Sequence, residues 1–378
     1  MPIDIGLSSF QIDGVKNENC NCWCRYRRLN AAYYLSKEKD VEVTVFDHGL
    51  GQATKAAAGI ISPWFSKRRN KAWYRMARLG ADFYQDLVSD LENDGYDTSF
   101  YDQSGVALLK KDDSKLDGLY QHAETRLEES PIIGELSIKN VADLPEFTGF
   151  DRYLYASGGA RVEGAELTAT LIEASGFEKV EGLVTLSPLD NGTYEINGQT
   201  FDKVILSCGA WLGQTLELLG FDVDVRPQKG QLRDYFFEGM DTGRLPVLMP
   251  EGELDVIPFA GGKISVGASH ENDQGFDLTV DETVLASLEE EAKTYFPDLS
   301  TAKSFSERVG TRAYTSDFSP FFGEVPELEG VFVASGLGSS GLTTGPLIGK
   351  NLVDLAMNRP GSLDSADYPV AQYVKKKD

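Results

Sequence analysis

The sequence AAYYLSKEKDVEVTVFD, residues 31–47, decides the fold of this chain. Its first part, Ala31–Lys39, is predicted to be the end of a helix, and Val41–Phe46 is a β-branched run typical of a strand. A helix followed at once by such a strand is the second half of a βαβ unit. Asp47 closes the strand. An acidic side chain there can accept hydrogen bonds from ribose hydroxyls, although an Asp after a strand is more often a turn or cap residue.

Both ends of the chain predict parallel α/β structure, and the middle predicts an antiparallel sheet. Lys203–Cys208 and Gly330–Ser335 are apolar runs typical of buried strands, and a helix is predicted for Pro346–Met357. Asn70–Leu91 carries apolar residues at helical spacing and predicts a long amphipathic helix. Strand and turn signals alternate from Val225 to Val266, which favours antiparallel pairing. The strands predicted there are Gln231–Phe237, Pro246–Met249, Leu254–Pro258 and Lys263–Val266.

Composition and charge exclude several classes of protein. The 378 residues carry a net charge of −23, and a phosphate backbone would be repelled by that field, so no nucleic-acid partner is expected. The sequence contains no run of about 18 apolar residues, so no membrane span is expected. The first thirty residues are polar, which argues against a secretory signal and makes a cytoplasmic location the default expectation.

Cysteine and histidine spacing does not predict a metal site. A metal site would need a second pair of ligands at suitable spacing, which the sequence does not offer. The residues concerned are Cys20, Cys22, Cys24 and Cys208, with His48, His122 and His270.

Two further segments contain candidate binding residues. Gly336–Gly341 links a predicted strand to a predicted helix. Such a turn lets backbone N–H groups approach a ligand, although an ordinary strand-to-helix loop would look the same. Arg312 lies in Gly310–Asp317, before Pro320. A lone Arg is usually a surface charge or a salt-bridge partner, but its planar fork is also the usual means of binding a substrate carboxylate.

Seven segments, taken in this order, resemble the flavin-dependent amine oxidoreductases, the family of D-amino-acid oxidase, glycine oxidase and D-amino-acid dehydrogenase. The resemblance extends from about Ala31 to Met357, and no single motif carries it alone. The segments are Val43–Asp47, Thr54–Ile61, Gly158–Val162, Leu206–Trp211, Val225–Gln231, Gly310–Asp317 and Gly336–Thr343.

The resemblance implies an α/β plus α+β fold with two domains. A discontinuous, Rossmann-like FAD-binding domain would comprise residues 1–65, 145–220 and 310–378, with residues 1–30 aberrant. A substrate domain built mainly on an antiparallel sheet would comprise residues 66–144 and 221–309.

The resemblance also implies non-covalently bound FAD. Asp47 would hold the adenosine ribose, Thr54 and Ala58–Ile60 would lie near the pyrophosphate and the isoalloxazine, and Val184 would contact the adenine. The expected cofactor-binding residues are Asp47, Thr54, Ala58, Gly59, Ile60, Val184, Gly209, Trp211, Leu337, Gly338, Ser339, Ser340, Gly341, Leu342 and Thr343.

The implied reaction is oxidation of the C–N bond of a small amino acid, such as a D-amino acid, glycine or a sarcosine-like amine. Hydride would pass from Cα to the flavin N5, and the imine would then hydrolyse. Arg312 would bind the substrate carboxylate and orient Cα–H towards the ring. Some relatives carry a second basic residue where this chain has Ser339 and Ser340, so the substrate's identity stays open. The electron acceptor, oxygen or another molecule, also stays open.

The resemblance fails at the N-terminus, where a dinucleotide site needs an apolar strand and a G-x-G-x-x-G turn before Ala31. Residues 19–30 read NCNCWCRYRRLN and contain no glycine. Codons that encode Asn17–Asn30 permit MKIAIVGAGIVG when they are read one base later, which is the missing strand and glycine turn at the right spacing. We therefore hypothesise that the residues up to about Asn30 are translated out of frame. The alternative is that this chain is a cofactor-poor, inactive remnant of the family.

Overall fold

The computed structural model describes residues 29–47, 49, 52–68, 70–177, 179–182 and 185–377. Within these ranges the α-helices are α1 (Leu29–Ser36), α2 (Lys71–Asn93), α3 (Ser114–Glu124), α4 (Gly164–Ser175), α5 (Leu212–Glu217), α6 (Glu282–Lys293), α7 (Gly341–Ala356) and α8 (Val370–Tyr373). In this part of the chain, no helix combines the length and the apolar composition needed to cross a bilayer.

The strands of the same ranges are β1 (Val45–Asp47), β2 (Ile60–Ile61), β3 (Tyr101–Asp102), β4 (Val106–Leu108), β5 (Leu136–Asn140), β6 (Arg152–Ala156), β7 (Ala160–Val162), β8 (Lys179–Glu181), β9 (Ser187–Pro188), β10 (Tyr194–Ile196), β11 (Gln199–Phe201), β12 (Val204–Leu206), β13 (Phe221–Val223), β14 (Arg226–Phe236), β15 (Val247–Met249), β16 (Asp255–Phe259), β17 (Lys263–Gly267), β18 (Ser304–Tyr314), β19 (Phe321–Glu324), β20 (Val331–Ser335) and β21 (Val374–Lys376).

The middle of the chain forms an eight-stranded sheet in the order β18-β14-β17-β16-β15-β4-β6-β5. Adjacent strands of this sheet are antiparallel, except that β15 and β4 are parallel. This confirms the antiparallel sheet predicted between Val225 and Val266. The longest pairing joins β14 to β18, from Arg226 opposite Tyr314 to Phe236 opposite Ser304. The sheet includes β6 from residues 145–220, a segment assigned above to the FAD-binding part, and the division into domains stays a prediction.

The ends of the chain form parallel pairs, as the sequence predicted. β1 pairs with β8 in parallel, and β12 pairs in parallel with β20. Helix α1 packs against α4 and α7, so helices from opposite ends of the chain lie side by side. This arrangement brings the residues that follow β1 and β20 to one region of the molecule.

Helix α2 confirms the amphipathic helix predicted for Asn70–Leu91. Asn70 caps it, because its side-chain oxygen accepts a hydrogen bond from the backbone N–H of Trp73 at 2.9 Å. Gly80 lies where α2 crosses α7. A Cβ atom at this position would be 2.5 Å from the carbonyl oxygen of Thr343. Only a residue without a side chain permits this close crossing.

Helix α7 begins at Gly341 rather than at the predicted Pro346, so this helix boundary was wrong. Pro346 has no N–H and leaves the carbonyl of Leu342, four residues before it, without its helical donor. The hydroxyl of Tyr84 on α2 donates to that carbonyl at 2.8 Å. Helix α7 therefore extends across the proline because a side chain of α2 replaces the missing hydrogen bond.

We predict that Tyr84→Phe lowers the free energy of unfolding by about 1–3 kcal/mol, because it leaves the buried Leu342 carbonyl without a donor. The measurement is denaturant unfolding of the two proteins. Tyr101→Phe is the matched control. Its ring stacks on Tyr84 at 5.3 Å, and its hydroxyl has no hydrogen-bond partner among the described residues. Equal losses in the two variants would contradict the assigned role of the Tyr84 hydroxyl.

Candidate active site

A cavity of about 240 Å³ lies between the large sheet, the segment 53–63 and the start of α7. Segment 53–63 and α7 come from the two ends of the chain, and the sheet comes from its middle. The lining residues are Ala53, Thr54, Ala56, Ala57, Ala58, Gly59, Ile60, Ser62, Pro63, Trp73, Ala77, Gly230, Met249, Glu253, Asp255, Ala268, His270, Gly310, Arg312, Gly338, Ser339, Ser340, Leu342 and Thr343.

Most of the residues selected from the sequence meet at this cavity. Those that line it are Thr54, Ala58, Gly59, Ile60, Arg312, Gly338, Ser339, Ser340, Leu342 and Thr343. Segments far apart in sequence therefore form one wall, as the resemblance implied. The role of each residue stays a prediction.

Arg308, which the sequence analysis missed, ties the segment before β2 to the sheet. Its Nη1 donates to the carbonyls of Lys55 and Ala57 at 3.1 and 2.9 Å. Its Nη2 donates to Asp234 Oδ1 at 2.8 Å, so one guanidinium joins the loop to strand β14. Arg308 and Arg312 are four residues apart on β18 and therefore share one face of that strand. Side chains alternate between the two faces of a strand, and this period of two residues from Arg312 was the signal that could have revealed Arg308.

Gly310, between the two arginines on β18, lets the same loop lie close to the strand. A Cβ atom at residue 310 would be 2.7 Å from Cβ of Ala56. The loop therefore packs directly on the strand that carries Arg312. A larger residue at this position would push the loop away from the cavity wall.

The start of α7 is fixed by side chains from β18 and α2. The backbone N–H of Ser339 donates to the hydroxyl of Tyr314 at 3.0 Å. The indole N–H of Trp73 donates to Ser340 Oγ at 3.3 Å, and Ser340 Oγ donates to the carbonyl of Leu337 at 2.7 Å. The glycine-rich turn is thus a short 3-10 helix held in place rather than a free loop.

The Arg312 side chain extends across β14, and its Nη1 nitrogen already donates hydrogen bonds within the protein. Its Nη1 donates to the carbonyl of Ser269 at 2.7 Å and to Gln228 Oε1 at 3.3 Å. A Cβ atom at Gly230 would be 2.5 Å from Nη1, so the guanidinium lies against that glycine.

Within the described residues nothing accepts a hydrogen bond from Nε or Nη2 of Arg312. Burial lowers the pKa of Arg312 from its usual value of 12.5. The guanidinium is still charged at neutral pH, so its free edge can bind an anion.

The other titratable side chains of the cavity are Glu253, Asp255 and His270, and the sequence analysis proposed a functional role for none of them. Burial raises the pKa of Asp255 from 3.8 to about 8, and no neighbouring charge contributes to that shift. Burial, and then the charge of Arg312, lower the pKa of His270, while Glu253 opposes this with an oxygen 3.6 Å from Nδ1. Glu253 and Asp255 are two residues apart at the start of β16, an alternation that could have marked them.

Several predicted cofactor residues lie outside the main cavity. Asp47 is buried at the end of β1, where its carboxylate accepts hydrogen bonds from the N–H of Gly49 and from Gln52 Nε2, both at 2.9 Å. The carbonyl of Gly209 accepts from Ser335 Oγ at 3.0 Å, and Trp211 packs on Phe276 with ring centroids 4.7 Å apart. Val184 lies outside the described residues.

Two small voids continue from the cavity along α7. The first, about 20 Å³, shares Thr54 and Leu342 with the main cavity and is also lined by Asn30 and Gly341. The second, about 10 Å³, is lined by Leu337 and shares Gly345 with the first.

The first void lies beside the start of α7, and the backbone N–H groups of a helix N-terminus favour an anionic group. The Asn30 side chain leaves Oδ1 buried without a hydrogen-bond partner, although Nδ2 donates to Pro346 at 2.6 Å. An amide oxygen accepts hydrogen bonds, so Asn30 would fit a hydroxyl group of FAD, and the start of α7 would fit its anionic part. The proposed frame anomaly and Cys20–Cys24 lie outside the described residues.

The chain is similar to known oxidoreductases over most of its length. The family model of the FAD dependent oxidoreductases (DAO) matches residues 29–355. The chain is 37% identical over 357 residues to YurR, an uncharacterized oxidoreductase of Bacillus subtilis, covering 90% of this chain and 95% of that one. It is 29% identical over 345 residues to glycine oxidase of Pseudomonas aeruginosa, covering 88% and 92%. Iminodiacetate oxidase from Chelativorans sp. BNC1 is a similar solved structure, with a TM-score of 0.84, 29% identity and 90% and 96% coverage.

The raised pKa of Asp255 predicts how stability depends on pH. Between its ordinary pKa of 3.8 and about 8, the folded protein keeps a proton that the unfolded chain releases, so the contribution of Asp255 to stability falls as pH rises. We predict that Asp255→Asn gains about 2 kcal/mol of unfolding free energy relative to wild type between roughly pH 4 and pH 8, allowing for solvent in the cavity.

The measurement is urea unfolding at the two ends of that pH range. Glu251→Gln is the control from the same turn. The backbone N–H of Lys111 and the nearby Lys110 lower the pKa of Glu251, so its removal should cost stability as pH rises. A difference between wild type and Asp255→Asn that does not change with pH would show that Asp255 is not buried uncharged.

Proposed function

This chain belongs to the FAD-dependent oxidoreductase family, and on that premise we propose that it oxidises the C–N bond of a small amino acid. The matches confirm the family and the fold class that the sequence predicted. The observation that carries the proposal is the free edge of Arg312, which faces the cavity that the segment 53–63 and the start of α7 also line. The expected substrates are a D-amino acid, glycine or a sarcosine-like amine.

Arg312 would bind and orient the substrate. A carboxylate can take two parallel hydrogen bonds from Nε and Nη2, which fixes both its position and its plane. Hydrogen bonds from Nη1 to Ser269 and Gln228 already hold the guanidinium, so little side-chain freedom would be lost on binding. When bound, FAD would accept the hydride from the substrate Cα at its N5 atom. The imine would then hydrolyse to the keto acid and the amine or ammonia.

The cofactor would extend from the cavity towards β1. The flavin ring would lie against Thr54, Ala58–Ile60 and Leu337–Thr343, and the pyrophosphate would lie at the void beside Asn30 and Gly341. The ribose would be bound by Asp47, which two hydrogen bonds already fix at the end of its strand. Gly209 and Trp211 would line the cofactor cleft.

The charges of the cavity favour a substrate with one carboxylate. Arg312 is the one Lys or Arg side chain among the described lining residues, and Glu253 and Asp255 are acidic. The second carboxylate of iminodiacetate, the substrate named for one relative, would find no second cation among these lining residues. We therefore expect monocarboxylates to be preferred over iminodiacetate.

We predict that the purified chain shows a flavin absorption spectrum and that an amino acid bleaches it without oxygen. The panel contains D-alanine, D-proline, glycine, sarcosine and iminodiacetate, and glycolate is the control that lacks an amine. Oxygen uptake with peroxide formation would favour an oxidase, and its absence would favour a dehydrogenase that uses another acceptor. A stable flavin spectrum that no amine reduces would contradict the proposed substrate class.

A second candidate is a folded remnant that does not bind FAD, which the absence of glycine from residues 19–30 favours. In that case the chain as written purifies colourless and does not take up added FAD. A variant with residues 19–30 restored by the one-base frame change should then become yellow. A flavin spectrum of the chain as written would exclude the remnant, and resequencing of the gene tests the frame hypothesis itself.

We predict that Arg312→Met lowers kcat/KM by at least about 100-fold, mainly through KM, because a charged hydrogen-bonded partner of the carboxylate is lost. Arg312→Lys should recover only part of this, since an ammonium cannot form the paired contact. The flavin spectrum should be unchanged in both variants. Arg244→Met, which removes a surface arginine paired with Glu146, is the control. An unchanged KM in Arg312→Met would contradict carboxylate binding by Arg312.

A further inference from the structure

The cavity holds a second polar group that the proposed reaction does not use. The Asp255 carboxyl is partly buried where it lines the cavity, and among the described residues it has no hydrogen-bond or ion-pair partner. A buried carboxyl normally finds such a partner within the protein. One that is left without a partner and faces a ligand cavity is available to a ligand.

Asp255 lies far from the group that would bind the substrate carboxylate. It is on β16, and Arg312 is on β18, with β17 and β14 between them in the sheet. Three strand spacings separate the two backbones by roughly 14 Å, and the Arg312 side chain spans part of this distance, since its Nη1 donates to the Ser269 carbonyl just after β17. In agreement, the charge of Arg312 contributes nothing to the raised pKa of Asp255, whereas it does lower that of His270. The α-amine of a substrate held by Arg312 lies one carbon from its carboxylate, whereas a more distant amino group of the same substrate would extend further along the cavity towards Asp255.

The end of the cavity at Asp255 is acidic. Glu253 lies in the same turn and is exposed at the cavity, and the low pKa of His270 leaves that side chain uncharged at neutral pH. The segment 53–63, α2 and α7 contribute only uncharged side chains to the lining. A cavity lined by the Arg312 guanidinium and by the unpartnered Asp255 carboxyl matches a ligand with a carboxylate and a cation further along its chain.

We propose that Asp255 binds a second, positively charged amino group of the substrate, so that this chain selects amino acids with a basic group distant from the carboxylate. This inference rests on the proposed function, because Arg312 must bind the carboxylate. No bond is made or broken at Asp255. Its role is to determine specificity, and it acts by a charge-assisted hydrogen bond to the ammonium.

The ionisation of Asp255 links this binding to pH. In the free protein the carboxyl is mostly protonated below about pH 8, and an ammonium ion requires its charged form. Binding of the cation at neutral pH should therefore release a proton. Glu253, His270 and Arg312 are the other titratable groups that line the cavity; the pKa of His270 is lowered from its ordinary value of 6.5, and Arg312 stays charged at neutral pH.

The test measures the binding of ω-amino carboxylates, which lack an α-amine. The probes are 4-aminobutanoate, 5-aminopentanoate and 6-aminohexanoate, each compared with butanoate, pentanoate or hexanoate of the same chain length. We expect at least one ω-amino acid to bind at least about 10-fold more tightly at about pH 9 than the plain carboxylate of the same chain length. At about pH 7, calorimetry in two buffers should show release of close to one proton for that ligand and none for the plain carboxylate.

Asp255→Asn should abolish both the preference and the proton release while leaving the binding of the plain carboxylate unchanged. The predicted gain in stability makes misfolding of this variant a poor explanation of such a loss. Glu251→Gln, which removes a carboxyl from the same turn outside the cavity lining, should keep both effects. Absence of any preference in the wild type, or its persistence in Asp255→Asn, would overturn the inference.

The proposed oxidation of an amino acid and the proposed role of Asp255 can be contradicted independently of each other. If neutral amino acids reduce the flavin and no ω-amino acid is preferred, the role of Asp255 is wrong and the proposed function stands. If the preference is found and depends on Asp255 but no amino acid reduces the flavin, the proposed reaction is wrong and the binding site stands.

Discussion

Gly80 of α2 lies so close to the first turn of α7 that a single methyl group would be 2.5 Å from the Thr343 carbonyl. This crossing sets the position of the candidate site. It allows Tyr84 to replace the hydrogen bond that Pro346 cannot make, and it places Trp73 within reach of Ser340. The C-terminal segment can therefore line the cavity as a rigid turn. The site depends on this contact because its walls come from opposite ends of the chain.

Strand β18 connects the other two walls of the cavity, the large sheet and the loop before β2. Arg308, Gly310 and Arg312 share one face, and each meets a different requirement. Arg308 fixes the loop before β2, Gly310 gives that loop room, and Arg312 presents a free guanidinium edge to the cavity. A ligand carboxylate and the loop that would contact the flavin are thus positioned by one strand. Their relative placement follows from the period of two residues in a β-strand.

The polar groups of the cavity reduce stability. Asp255 is partly buried without a partner, and its ionisation opposes folding as pH rises towards 8. A protein selected for stability alone would have an apolar or paired residue there. Residues that disfavour the folded state are common at binding sites, because the missing partner is supplied by the ligand.

The sequence by itself determined the family, the parallel ends, the antiparallel middle and ten of the residues that line the cavity. These follow from local signals, such as the strand that ends at Asp47, the glycines near α7 and the Arg312 segment. Only the tertiary structure decided that α7 continues through Pro346. The hydrogen bond that replaces the missing one comes from Tyr84, which lies 258 positions before its acceptor, Leu342. It also decided the roles of Arg308 and Asp255, since burial and the absence of a partner are set by the order of strands in the sheet, which no local pattern encodes.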